Sequence, residues 1–424
     1  MQSLPFDPTD PKAALTQLPQ TVAVFALYGA EAHAEPYVGR TPNLRARLAR
    51  LLQPSPKHPR RLQLAGRVRR IAWQLTGSDF ESLLLQFELL EQIYGPKSLE
   101  RLHLKSPAFV RFLGSNAYPR ITVTHRPSQR EADWSYGPFP SHAAAERFAE
   151  ESLKLFLLRR CTDDLDPNPS HPGCVYSEMK MCLAPCYQGC TDGRYSEEAS
   201  AVQSFLATRG DSRLVVLRTQ RDEASASLEF ESAAALHAQV LRVETVRSLA
   251  AELIRPLSQL RAVILQPSAH PDQVAVFLFE DSRLRGPVPF STLGMRIQNE
   301  QSGSSSLFAQ PLVIEPVLED PPPVVLPPDA APEIAILAPA RIPRSVLETR
   351  MEAALAELSE PTSPPTATLR QGQLALLKRW YYRPEARRSG EIFFPDTKGR
   401  WPVKAMLRGV GRVAAKMLAP NTRE

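Results

Sequence analysis

The stretch YVGRTPNLRARL, residues 37–48, decides how the chain is read. Tyr37 and Val38 close a short extended run, and Gly39 leaves room there for a close backbone approach. Leu44, Leu48, Leu51 and Leu52 then recur at helical spacing, so a strand hands over directly to an amphipathic helix. Upstream, TVAVFALY (21–28) has strand composition. Downstream, VRRIAWQLTG predicts a third strand, and SDFESLLLQFELLEQIYG predicts a helix with Ser78 as N-cap and Glu81 closing a capping box. The expectation is a small sheet with flanking helices over 21–105, its compact part ending near 95.

Charge singles out the same corner. From Arg40 to Arg70 the chain has ten Lys or Arg and no Asp or Glu, against a net charge of only +6 for all 424 residues. Such a block suits a phosphate backbone, because each neutralised phosphate releases counterions. Arg45, Arg50, Arg60, Arg61, Arg69 and Arg70 are the candidate nucleic-acid contacts, with a solvated basic face as the plain alternative. No apolar run reaches the roughly 18 residues of a membrane span. The N-terminus lacks a basic-then-apolar leader pattern, so a cytoplasmic protein without a membrane partner is expected.

Beyond this unit the composition shifts repeatedly, and the fold class expected is α+β multidomain. A connecting segment (106–160) has strand-like RITVTHR and a Pro-rich turn. A Cys-rich segment (161–192) follows, then a helical stretch (195–252) with a break expected near 209–212. Residues 258–342 combine alternating strands with a Pro-rich linker. Residues 343–424 are basic and aromatic: Lys378 to Lys416 contains eleven Lys or Arg against three acids, with Trp380, Tyr381, Tyr382 and Trp401 interleaved. Those rings could stack on bases or simply pack a small domain.

All five cysteines fall between 161 and 190. Clustered cysteines without a secretory context point to a metal site before a disulfide framework. Cys161, Cys174, Cys182 and Cys186 are the candidate ligands. Four thiolates can hold a zinc ion or a 4Fe-4S cluster. The uneven loops and the lack of C-x-x-C knuckles favour the cluster, with zinc as the alternative.

Taken in order, these pieces resemble UvrC, the endonuclease family of bacterial nucleotide excision repair. AVFALYGAEAHAEPYVGRTPNLRARL is similar to its GIY-YIG nuclease motif, and SDFESLLLQFELL to the helix that follows it. YPRITVTHR, YGPFPSHAAAERF and LFLLRRC resemble its connecting segment, and GCVYSEMKMCLAPC its iron–sulfur cysteine region. ASASLEFESAAALHAQVLRVE resembles its UVR helical hairpin, which implies a UvrB-like partner. The likeness ends near residue 290. It leaves no counterpart of the RNase-H-like and helix-hairpin-helix domains, a layout closer to the Cho-type members. Leu228, Phe230, Ala233 and Ala234 are the partner-binding residues the likeness implies.

The resemblance also implies a phosphodiester-cleaving site. Such chemistry needs an activated water, a cation opposite the phosphorane and a metal on the leaving oxygen. Tyr37, Arg40 and Arg47 stand at the motif's tyrosine, basic and helix-arginine positions. Two positions depart. Phe25 replaces the first motif tyrosine and has no hydroxyl. Gln86 replaces the metal-binding glutamate, and a neutral amide is a poor ligand for Mg²⁺ or Mn²⁺. Glu88 and Glu91 lie about 200° and 140° round the helix from it. The sequence therefore leads to a UvrC-like protein that binds damaged duplex DNA and a UvrB-like partner but cuts weakly or not at all. An active Cho-like single-incision nuclease is the alternative, and an iron–sulfur redox or sensory protein on a UvrC-derived scaffold is a third reading.

Overall fold

Three small antiparallel sheets, each backed by helices, make up the computed structural model. It describes residues 1–31, 34–53, 64–162, 164–295, 342–361 and 363–418. In the first unit, β1 (Gln2–Pro5), β2 (Ala23–Gly29), β3 (Tyr37–Thr41) and β4 (Val68–Leu75) lie in the order β1-β4-β2-β3. Helix α1 (Pro11–Gln17) starts at the Asp10 cap, and α2 (Leu44–Leu52) starts at Asn43, whose side chain accepts from Ala46 N. Leu44, Leu48, Leu51 and Leu52 of α2 are buried with Phe25, Leu27 and Trp73 on one face of this sheet.

Helix α3 (Asp79–Tyr94) begins at Ser78, whose hydroxyl accepts from Glu81 N. The Glu81 carboxylate reaches back to Gly77 N rather than to the N-cap amide, so the expected capping box is shifted by one residue. The short α4 (Lys97–Arg101) ends the unit.

The second unit carries β5 (Ala108–Phe112), β6 (Ile121–Thr124), β7 (Ser135–Phe139) and the two-residue β8 (Arg255–Pro256). Helix α5 (His142–Leu153) packs on it, α6 (Val175–Glu178) lies within the cysteine segment, and α7 (Asp192–Ala207) leads on. A left-handed Arg209 and Gly210 then reverse the chain, as the expected break requires. Helices α8 (Asp211–Ala226) and α9 (Phe230–Ser248) form an antiparallel hairpin whose inner face joins the same core through Leu214, Leu217, Val240 and Val243.

The third unit joins what composition separates. Strands β9 (Ala262–Pro267), β10 (Gln273–Glu280) and β11 (Arg283–Ser291) form one sheet with β12 (Glu391–Phe393), in the order β11-β10-β9-β12. Helices α10 (Arg344–Ser359) and α12 (Val403–Leu418) supply Met351, Leu355, Met406 and Val410 to one core. Helix α11 (Ala367–Tyr381) joins α3 in the core on the other side. The stretches 258–295 and 342–418 are thus one folding unit, because β12 completes the sheet that β9 would otherwise leave open.

The first and third units are fastened along α3. Gly372 of α11 meets Phe87 so closely that an added Cβ would lie 2.0 Å from the Phe87 ring. Gln373 Nε2 donates to Glu88 (3.1 Å) and Thr366 Oγ1 to Glu91 (2.8 Å).

Candidate active site and cysteine cluster

Strand alternation spreads the motif residues over two faces of the first sheet. Leu27 pairs with Tyr37, Phe25 with Gly39, and Val24 with Arg40. Side chains of paired residues share a face, so Phe25 and Tyr37 stand on the α2 side and Arg40 on the α3 side. The Phe25 ring is fully buried, 6.1 Å from the Tyr37 ring, and lies over Gly39, where a Cβ would come within 2.8 Å of it. Gly39 is therefore required by the aromatic across the strand. Tyr28 points to the other face, where Arg70 stacks on it at 4.0 Å.

Arg47 sits half-buried on α2 between the packed Leu44 and Leu51. It has no ion pair or side-chain hydrogen bond among the described residues. Arg40 is differently engaged: its guanidinium binds Asp79 at the start of α3. Arg383, from the chain beyond α11, binds the other oxygen of the same carboxylate at 2.7 Å. Burial opposes the charge on Asp79, but the hydrogen bonds and charges of Arg383 and Arg40 hold its carboxyl below the usual range.

The α3 carboxylates are occupied in turn. Burial raises the Glu81 pKa, offset in part by the Gly77 N–H. Glu88 faces α11, and burial there pushes its carboxyl up to about 7, against the Gln373 hydrogen bond and the Arg283 charge. Glu91 accepts from Thr366. Gln86 is half-buried and brings only a neutral amide. No three His, Cys, Asp or Glu side chains converge on one ion among the described residues, and a neutral amide is a poor ligand for a hard divalent cation, so this set does not fit one.

The basic block divides as well. Arg45 is spent inside the fold, its Nε on Leu18 O (2.7 Å) and its Nη2 on Thr16 O (3.0 Å), where it caps α1. Arg50 returns to Ala46 O, and Arg69 to Gly66 O and Val68 O. Arg60 and Arg61 lie outside the described residues. In the third unit the rings predicted as possible base platforms are structural. Trp380 is buried and donates to Ser389 O, Tyr382 donates to Pro138 O, and Trp401 carries Arg261 over its face.

In the cysteine segment, burial pushes the Cys182 thiol up to about 11, with Cys161, Cys174 and Cys186 close enough to add to the rise. Cys186 is raised by burial and by Cys174 and Cys161. Cys190 is raised by burial and by Asp192, against the charge of Arg194. Cys182 thus feels the charges of Cys161, Cys174 and Cys186 but not that of Cys190. The Cys182 sulfur accepts from Ala184 N at 3.2 Å, and Arg159 Nη1 lies 3.7 Å from the Cys161 sulfur. Among the described residues no three His, Cys, Asp or Glu side chains converge on one ion.

The hairpin tip carries the largest exposed apolar side chains of the α8–α9 pair. Leu228 is 72% exposed in a left-handed turn and Phe230 66% exposed at the first position of α9. Ala233 and Ala234 continue that side one turn on. No helix among the described residues is long and apolar enough to cross a membrane.

Residues 109–205 match the model of the UvrC/Cho excinuclease middle domain. The chain is similar to the UvrABC system protein C of Alcanivorax borkumensis, 31% identical over 238 residues, 56% of this chain and 39% of that protein. It is likewise 29% identical to the UvrABC system protein C of Pseudomonas protegens over 57% of this chain and 39% of that one. The chain thus spans about two-fifths of the length of these curated relatives. No solved structure matches. The chain is UvrC-like.

Proposed function

We propose that this UvrC-like chain is a nucleotide excision repair protein that holds damaged double-stranded DNA and a UvrB-like partner, with its phosphodiester-cleaving chemistry weakened or lost. The observation that carries the reading is the state of α3. Its three carboxylates beyond the first turn's Asp79 are bonded to Gly77, Gln373 and Thr366, and Gln86 stands where a metal-binding carboxylate would be needed. Phe25, buried and without a hydroxyl, cannot move a proton. Losing one transition-state contact costs roughly two to three decades in rate, and two are missing. What is kept suits binding: Tyr37 packs on the core that α2 covers, and Arg47 on α2 has no side-chain partner among the described residues.

An active single incision is the second reading, favoured by Arg47 alone. A guanidinium on α2, the helix packed against the Tyr37 face, with no partner among the described residues, is what a developing phosphorane charge would need.

Partner binding rests on the hairpin tip. An exposed apolar pair at the end of two packed helices is a docking feature. Phe230→Asp should weaken binding to a UvrB-like protein at least tenfold in a titration, with the thermal midpoint unchanged because the ring touches no core. Unchanged affinity would remove this assignment.

The thiols of Cys161, Cys174, Cys182 and Cys186 would hold a 4Fe-4S cluster, with zinc as the alternative. The charge of the other three felt at Cys182, and the N–H donated to its sulfur, support that donor set. Such a cluster would cross-link three loops. In anaerobic preparations, Cys182→Ser should lose the iron and the visible absorbance, while Cys190→Ser keeps both. Iron retained in the first variant would exclude the set.

A further inference from the structure

Between the second and third units lies a cavity of about 160 Å³ that none of the motif residues line. One wall is the chain entering β5 and leaving β6, with Ser106, His125 and Arg126; the opposite wall is α11, with Arg370 and Gln371. The lining holds two arginines and a histidine and no Asp or Glu. Neither Arg126 nor Arg370 has a side-chain partner among the described residues. The walls are held in place: Gln371 Nε2 bonds Ser106 Oγ across the seam, and the His125 ring nitrogen Nδ1 lies 3.1 Å from Ser106 O.

The charge continues past the cavity. Lys105 precedes Ser106 in sequence, and Lys378 lies one turn beyond Leu374 on α11, which also lines the cavity. Burial lowers the Lys378 pKa, and the charge of Lys105 lowers it further. Four cations brought to one seam by the second and third units repel one another. Lys105 and Arg126 are exposed, so solvent screens part of this repulsion, and no acid among the described residues forms an ion pair with any of the four.

We propose that this seam is a binding site for a phosphate monoester. The cavity, about 160 Å³, has room for one phosphoryl group between the two arginines. A terminal phosphate dianion matches two guanidinium forks, which bind phosphate bidentately. The same chemistry could come from the 5′-phosphate of a strand end or from free phosphate. The site is distinct from the motif corner, and it stands whether or not that corner cuts.

The test titrates the full chain with inorganic phosphate, with a nucleoside 5′-monophosphate, and with one short duplex carrying either a 5′-phosphate or a 5′-hydroxyl. Wild-type protein should bind the phosphorylated duplex at least tenfold more tightly than the hydroxyl form. Arg370→Gln and the exposed Arg126→Gln should each erase that preference while keeping the hydroxyl-duplex affinity and the thermal midpoint. Saturable binding of inorganic phosphate or the monophosphate, lost in the same variants, would support the site with free phosphate as its source. No preference together with no phosphate binding, or a preference kept in both variants, would overturn the proposal.

Discussion

Gly372→Ala should destabilise the protein, although the same change on an exposed helix stabilises it. Alanine gains about 1 kcal/mol over glycine from helix propensity alone. Here the added methyl would sit 2.0 Å from the Phe87 ring edge and 2.5 Å from its neighbours. Phe87 is fully buried among Phe80, Leu84, Leu374 and Leu377, so it has nowhere to turn. Overpacking of this kind costs about 1–3 kcal/mol and more where nothing yields, so a net loss of about 2 kcal/mol is expected. The urea midpoint of the variant should fall, and Gly372→Leu should fall further. A midpoint at or above wild type would show that α3 and α11 do not meet as described. The change probes the fastening of the first unit to the third, on which the placement of Asp79 and Glu88 depends.

Glu88→Gln should stabilise the chain at neutral and alkaline pH and leave it unchanged in acid. Burial raises the Glu88 carboxyl from 4.5 to about 7. Below the unfolded value both states are protonated, and the neutral side chain sits in the seam without penalty. As the pH rises from about 4.5 towards 7, the unfolded chain releases its proton and the folded chain keeps it, so stability falls. Above 7 the loss is complete, about 3 kcal/mol. Glutamine removes the titration and can still accept from Gln373 through its own oxygen. Thermal midpoints measured across this range should diverge with rising pH, the variant staying flat by comparison. Parallel profiles would place Glu88 in contact with water.

The corner at residues 37–52 was legible because its signals are local. Alternation marks β2 and β3, a leucine stripe marks α2, and Ser78 caps α3. The strand β1 carries no such local signal, because its four residues end in Pro5 and gain their place only by pairing with β4. The start of α1 is local as well, with Asp10 as its cap and Pro11 as its first residue. Strand β12 has three residues and pairs with β9 from more than a hundred positions away, so no local pattern could announce it. The fates of individual side chains were hidden for the same reason. Arg45 reads as a free cation until α1 folds back over it, and Trp380 reads as an exposed platform until Phe80 and Phe277 close round it. The substitutions Phe25 and Gln86 were visible in the sequence. The engagement of Asp79 by Arg383, and of Glu88 by Gln373, required the third unit to be in place.

The most direct measurement is incision of a damaged duplex by purified protein with a UvrB-like partner and Mg²⁺ or Mn²⁺, run side by side for wild type, Gln86→Glu and Arg47→Ala. Wild type should retain the duplex and leave it uncut, Gln86→Glu should gain detectable cutting, and Arg47→Ala should bind the duplex more weakly. Robust wild-type incision that Arg47→Ala abolishes and Gln86→Glu leaves unchanged would contradict the reading of this corner as a grip that no longer cuts.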